Sequence, residues 1–458
     1  MDVSTAISIL TKGDHGDETH RTPFAIKGGG HSPNAGFANI QNGVTIDMDQ
    51  IAGVSYNEEN SIASVGAGAK WLQVYEYLSE YGVTVAGGDN GGVGVGGLLI
   101  GGGMSHFSPR VGWACDGVVN FEIVLASGEI TNANRSSNPD LYKALKGGTS
   151  NFGVITTYDL SAFPQEGIWG GDVIQDISNL DQVLEAFAKI ADAPDYDPYA
   201  SLETAIEFNG SAWTILHELV YTKEVNDTPP IFQPLLAIEP KAKSTLKNTN
   251  LTTIANETAT PPTNNILLQT ATYGVDAGLL KSIFDINNAT VHELRPRVEG
   301  LFEWTLVFEA LPSIWLRHSE KNGGNSLGTG PEDGNAFGMN FCLFQKNIGI
   351  FASNQFTQAN EAIVFYIEAQ WNDTTASTSS LIQGSAAKVI QQIDRIAQSK
   401  ALKHDLIYLN YANANQDPLA SYGEEKLNNL KAVARKYDPK GIFQTQVPGG
   451  FKVSKSGI

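Results

Sequence analysis

Hydrophobic positions fall into two patterns along the chain. From Phe24 to Phe163, short β-branched runs alternate with glycine-rich stretches: Phe24–Lys27, Val44–Asp47, Ile62–Val65, Val83–Ala86, Phe121–Ala126 and Val154–Asp159. Each has the length and residue types of a strand. Helical spacing falls between some of them, over Trp71–Tyr81 and Asn138–Leu145. The mixture points to an α+β fold and not to a regular βαβ series. Beyond residue 164, Leu180–Ala191 places Leu180, Val183, Leu184, Phe187 and Ile190 on one helical face. Strand-like stretches follow at Ala205–Phe208, Thr214–Tyr221, Trp304–Ala310 and Ile363–Trp371, with a helix over Val389–Ser399. Two stretches, Asn248–Asn264 and Glu320–Gly334, read as surface loops. Near the end, Asp405–Tyr411 is a strand candidate, and a helix over Glu424–Tyr437 stops at Asp438-Pro439. At the start, Asp2 caps a helix whose apolar face is Val3, Ala6, Ile7 and Leu10. No basic segment or apolar core of a signal peptide precedes it.

The length, 458 residues, exceeds one ordinary core, so two or three domains are expected. No apolar run approaches the roughly 20 residues of a membrane span. The net charge of −19 repels nucleic-acid phosphates and anionic lipid, so neither partner is expected. Cys115 and Cys342 allow at most one disulfide, and whether they pair is open. Seven glycosylation sequons, at Asn134, Asn209, Asn226, Asn250, Asn256, Asn288 and Asn372, weakly favour a secretory route.

Three glycine clusters carry the chemistry. Gly28-Gly29-Gly30-His31-Ser32-Pro33 follows a strand, and such a run lets backbone N–H groups approach an anion unobstructed. A tight turn with an incidental histidine explains the same string, and on this stretch alone the two readings are level. The second cluster runs from Gly91 through Gly94, Gly96 and Gly97 to Gly101, Gly102 and Gly103. It satisfies G-x-G-x-x-G formally, but its context is not βαβ, and its later glycines predict a poor helix. The third is Gly147-Gly148-Thr149-Ser150-Asn151-Phe152-Gly153-Val154, linking a helix to a strand. Three such clusters in the first third of the chain favour one large, extended, anionic cofactor. The histidines His217, His292, His318 and His404 have no metal-ligand spacing, so no metal is expected.

These strings, with Gly43 to Met48, Trp113-Ala114-Cys115-Asp116-Gly117-Val118-Val119 and Tyr408-Leu409-Asn410-Tyr411, resemble the vanillyl-alcohol oxidase/PCMH superfamily, in its fungal berberine-bridge-enzyme-like branch. The resemblance implies a PCMH-type FAD-binding domain built from both chain ends, residues 1–163 and 405–458. It implies a middle substrate domain, 164–404, of antiparallel sheet covered by helices. The histidine of the glycine string, here His31, is the family's covalent attachment point on the flavin 8α-methyl carbon. Many relatives add a cysteinyl link just before the G-x-G-G string. Here Asn90 stands about where that sulfur would be, so one link is expected, with Cys115 a packed thiol. Cofactor contacts are carried over to Gly28, Gly29, Gly30, His31, Ser32, Gly94, Gly96, Gly97, Gly102, Ser105, Asp116, Gly148, Asn151, Gly153, Val154, Asn410 and Tyr411.

The implied activity is an oxidase that takes hydride from an alcohol, sugar or amine carbon of a small molecule, with dioxygen as the acceptor. A secondary-metabolite tailoring oxidase or cyclase, and a non-catalytic ligand-binding member, remain open beside it. Tyr411 is the first candidate base, and its phenol needs a lowered pKa for that role. In an extended strand Tyr366, Glu368 and Gln370 share a face. If that face meets the flavin, Glu368 is an alternative base and Gln370 a relay; if it meets water, both are ordinary solvated residues. His106 could line the site, although a histidine beside a glycine loop is as well explained by a simple hydrogen bond.

Overall fold

The computed structural model describes residues 2–12, 22–257, 264–328, 361–373 and 375–457. The opening helix spans Val3–Lys12; the Asp2 side chain accepts from Thr5 N at 2.7 Å, and Val3 and Ile7 are buried. Phe24–Lys27 and Val44–Asp47 then pair in parallel. A five-stranded antiparallel sheet follows, in the order Val54–Asn57, Ile62–Gly66, Val154–Ser161, Val118–Val124 and Ile130–Asn134. Helices Trp71–Ser79, Val95–Ile100 and Pro139–Leu145 connect its parts. The main core joins both chain ends: Phe24, Trp71, Phe121 and Tyr158 lie in one buried cluster with Tyr408, Tyr422, Leu430 and Phe443.

The middle of the chain forms a nine-stranded sheet. Its path runs Lys241–Ser244, Ile168–Asp176, Trp213–Tyr221, Ala200–Phe208, Phe302–Leu311, Ala362–Trp371, Asn265–Gly274 and Lys403–His404, with Lys247–Thr249 also pairing to Ile168–Asp176. All its pairings are antiparallel. Alternate residues (Leu202, Ile206, Trp304, Phe308, Phe365, Ile367) pack under the helices Leu180–Ala191, Ala277–Leu294 and Ala376–Ser399 in a second core. The intervening residues of each strand therefore face the other way. Ala362 and Val364 of that opposite face join the first core, so this face lies against the part built from the chain ends.

Three expectations are corrected. Asp405–Tyr411 is not a strand: after the two-residue strand Lys403–His404, the chain runs irregularly into a 3-10 turn over Leu409–Tyr411. Its polar groups are met by side chains: Ile407 N donates to Ser421 Oγ at 3.0 Å, and the Tyr408 hydroxyl accepts from Met104 N at 2.9 Å. The glycines after Gly94 do sustain a short helix, Val95–Ile100, because Val95 and Leu99 are fully buried and packing outweighs propensity. Asn248–Asn264 contains a strand end, Lys247–Thr249, and a helix, Leu251–Glu257. The Asn250 side chain accepts from Thr253 N at 2.9 Å, and Leu251, Ile254 and Ala255 are buried; a capping residue followed by apolar spacing is the sequence signal of this helix. Residues 258–263 lie outside the described residues. Of Glu320–Gly334, the first two residues finish the helix Leu316–Lys321, and 329–334 also lie outside.

Candidate active site

A cavity of about 650 Å³ lies between the two cores. One wall is made of the glycine strings. Gly28, Gly29, Gly30, His31 and Ser32 line it with Gly94, Gly96 and Gly97, and Gly153 and Val154 close one side. The loops cross so tightly that a Cβ on Gly29 would come within 2.4 Å of Gly94 Cα. At Gly97 nothing lies within 4 Å of the Cβ position, leaving open room for a ligand beside the backbone. Among the described residues, no lysine or arginine lines the cavity. A pyrophosphate there would be held by backbone amides, as in other anion-binding glycine loops. These features fit an extended dinucleotide such as FAD.

His31 lines the cavity wall, where desolvation lowers its pKa, against Asp89 and with Lys70, favouring the neutral imidazole. Asn90 also lines the cavity, its side-chain oxygen accepting from Gly92 N at 2.8 Å. Cys115 is a fully buried free thiol outside the lining, with its pKa pushed up by burial. Cys342 lies outside the described residues.

The opposite wall comes from the nine-stranded sheet and the turn after Tyr408. Tyr366, Glu368 and Gln370 face the cavity and not bulk water, alongside Ile266 and Leu268 of the neighbouring strand. Gln370 Nε2 donates to Glu368 Oε1 at 2.7 Å, and burial raises the Glu368 pKa. Asn410 and Tyr411 line the cavity as well. Asn410 Nδ2 donates to Leu98 O at 3.1 Å, tying this turn to the glycine wall. Tyr411 packs on Tyr366 with ring centroids 4.3 Å apart, and its hydroxyl donates to Glu309 Oε1 at 2.8 Å.

This arrangement changes the chemistry expected of Tyr411. Its phenol pKa is pushed well up, by burial and then by Glu309 and Tyr366, and not down. The group of suitable basicity is Glu309, which burial and Asp89 push up to about 8 against the hydrogen bonds from Tyr411 and Glu203. Nothing in the sequence marks Glu309, Glu203 or Glu218 as a functional residue. Each sits in an ordinary alternating strand, where an isolated glutamate reads as solvated.

Five carried-over positions lie outside the cavity lining. Asp116 is buried and accepts from Trp113 N at 3.1 Å, Ser319 Oγ at 2.7 Å and Asn325 Nδ2 at 3.1 Å, so its carboxyl braces a loop junction. Asn151 binds Gly148 O at 2.8 Å and Phe451 O at 3.0 Å, holding the C-terminal segment in place. Gly148 packs against Ala144 O and Phe152, and Gly102 against Leu327 and Trp113. Ser105 borders a second, much smaller cavity with His106. His217 is buried and paired with Thr204 at 2.9 Å, and burial lowers its pKa to about 4.

A glycine-walled dinucleotide cavity facing a sheet that presents a tyrosine–carboxylate pair defines a flavin-dependent oxidoreductase of two-part architecture. Comparison with known proteins agrees. Residues 18–134 match the model of an FAD binding domain. An FAD-dependent monooxygenase of Aspergillus calidoustus is 34% identical over 99% of this chain and 81% of its own length. Another from Emericella nidulans is 35% identical over 100% and 89%. Among solved structures, the xylooligosaccharide oxidase of Myceliophthora thermophila superimposes with a TM-score of 0.73 at 18% identity, over 98% of this chain and 89% of that one. The glucooligosaccharide oxidase of Acremonium strictum, described with a 6-S-cysteinyl, 8α-N1-histidyl FAD, gives 0.69 at 19%, over 100% and 90%. The chain belongs to the same family as these fungal FAD-dependent monooxygenases, shares the fold of the oligosaccharide oxidases, and is an FAD-dependent oxidoreductase.

Proposed function

We propose that this enzyme is an oxidase of a small-molecule alcohol, sugar or amine, with FAD linked once, through His31, and with Tyr411 and Glu309 acting together as the base. The bound flavin supplies the hydride acceptor. This chain's part is to place the substrate under the sheet and to remove its proton. The proton goes to Tyr411 Oη while the tyrosine's own proton passes to the ionised form of Glu309. The phenolate is thus never needed as a free species, and the carboxyl that ends protonated has a pKa suited to neutral pH. The observation that carries this is the 2.8 Å hydrogen bond from Tyr411 to Glu309 on the cavity wall. Glu368 and Gln370, bonded to each other beside the apolar Ile266 and Leu268, orient the substrate. The absence of a cysteine among the described lining residues supports the single link. The domain division at 163/164 and 404/405 belongs to this reading.

The test is denaturation of the purified protein in acid, beside His31→Ala, followed by a screen of alcohols, sugars and amines for hydrogen peroxide. A yellow precipitate from the parent alone, and peroxide with one substrate class, are expected. Yellow colour persisting in the variant refutes the attachment through His31. The relatives described as monooxygenases favour a second reading, in which an oxygen atom enters the product. Isotopically labelled dioxygen separates the two: label in the product supports the monooxygenase, and label only in peroxide supports the oxidase.

A further inference from the structure

Three glutamates stand in one row across three adjacent strands. Glu218 of Trp213–Tyr221 lies directly opposite Glu203 of Ala200–Phe208, and Glu203 lies directly opposite Glu309 of Phe302–Leu311. Opposed side chains on one face are about 5 Å apart at Cβ. All three point away from the helix-covered core that holds their neighbours Leu202, Leu219 and Phe308. At one end, Tyr411 donates to Glu309 at 2.8 Å. At the other, His106 Nε2 is 3.3 Å from Glu218 Oε1, and His106 Nδ1 is 3.1 Å from Ser201 Oγ.

The row also joins two cavities. Glu203 and Glu218 line the large one. With Glu309, Ser105, His106 and Ser201, they also line the second, of about 30 Å³. That is room for a water with several polar partners. Neither His106 Nε2 nor Glu218 Oε1 has a hydrogen-bond partner, although both are buried and close. A water in this cavity would satisfy both.

Like charges directly opposed in a sheet repel, and burial removes the water that would screen them. Three ionised carboxylates cannot stand in this row without a counter-charge. The groups around it are Asp89, Tyr196, Tyr366, Tyr408, Tyr411, Glu368 and His106, with Asp172 and Glu257 farther off beside Glu218; His106 is the cation-capable group against the row, and His31 lines the same large cavity. We propose that Glu309, Glu203 and Glu218 titrate as one proton-sharing unit that takes up the substrate proton through Tyr411 and opens at its far end on His106. This rests on the reading of Tyr411 and Glu309 as the base. Each transfer is balanced: Tyr411 gives its proton to Glu309 as it receives one, Glu309 passes a proton to Glu203 as Glu203 gives its own to Glu218, and Glu218 gives its own to His106 Nε2. His106 accepts there as the tautomer whose Nδ1–H donates to Ser201. No electrons move along the row; both leave the substrate with the hydride. Burial pushes Glu203 and Glu218 well up and His106 down, so the row holds protons at neutral pH.

Infrared titration of the flavin-loaded protein tests this without any substrate. The wild type is expected to show carboxylic-acid C=O absorption at neutral pH, part of which disappears as pH rises through about 8, where Glu309 ionises. Glu218→Gln is expected to weaken that absorption and lower the midpoint of what remains, since Glu218 holds Glu309 up. His106→Gln, which leaves every carboxyl in place, is expected to move the midpoint too. Absence of protonated carboxyl absorption in the wild type at neutral pH overturns the proposal, and this requires no variant to fold. So does an unmoved midpoint in both variants. The base assignment fails separately: Tyr411→Phe turning over with the peroxide-yielding substrate at the wild-type rate refutes it, whatever the infrared shows.

Discussion

Replacing Glu309 by glutamine changes how stability depends on pH, and the size of the effect follows from the site. Glutamine keeps the length of the side chain and a carbonyl oxygen to accept from Tyr411, so the hydrogen bond at 2.8 Å has a substitute. What disappears is an acid whose pKa is raised from 4.5 to about 8 in the folded protein. Below the ordinary value both folded and unfolded chains hold the proton, and the group is neutral to stability. As pH rises above it, the unfolded chain releases its proton while the folded one retains it, so stability falls with rising pH. Above about 8 both are ionised and the loss is complete. The shift, 8 minus 4.5, corresponds to about 5 kcal/mol at roughly 1.4 kcal/mol per pH unit. That is an upper limit, because Glu203 and Glu218 share the protons. Melting of the flavin-loaded protein from about pH 4 to about pH 9 brackets the window. Glu309→Gln is expected to match the wild type at the acid end, to show a flatter decline, and to be the more stable protein at the alkaline end. Parallel curves would refute a buried, proton-holding Glu309, and so would a variant less stable at alkaline pH.

Tyr411→Phe removes the path from substrate to Glu309; flavin reduction is expected to slow by roughly 10²- to 10⁴-fold, the usual range for a general base, with the acid-stable flavin unchanged. Rapid anaerobic mixing with the substrate found by the peroxide screen measures it. Gly94→Ala drives a methyl group to 2.5 Å from Gly29 Cα, so the crossing of the two glycine loops has to open. The expected result is loss of flavin content, read as the visible-to-ultraviolet absorbance ratio, with the far-ultraviolet circular dichroism largely kept. Asp116→Ala leaves Trp113 N and Ser319 Oγ without their acceptor in a buried site, while Asn325 Nδ2 keeps Ser319 Oγ at 2.8 Å. It is expected to cost roughly 1–3 kcal/mol per stranded group and to lower the melting temperature while leaving the flavin spectrum unaltered.

Local pattern determined the elements. Leu180–Ala191 and Glu424–Tyr437 form helices over the bounds their spacing predicts, and Phe24–Lys27 and Val44–Asp47 form strands over theirs, because periodicity and stop signals act between residues close in the chain. The glycine strings and His31 were legible because their function lies in the backbone they expose, and glycine types announce that directly. Tyr411, Glu368 and Gln370 were found as residues, but which face of Ala362–Trp371 meets the cavity depends on what packs against each side of the sheet. Asp116, Asn151 and Gly148 bear on the fold and lie outside the cavity lining; motif strings do not separate residues that touch a ligand from those that brace the loop beside it. The glutamate row was invisible in the chain. Glu203 and Glu309 are joined only by strand register across more than a hundred residues, and Glu218 meets His106 only where sheet and glycine wall close on each other. Burial then decides their protonation, and burial is a property of the packed pair of cores, not of any residue's sequence neighbours.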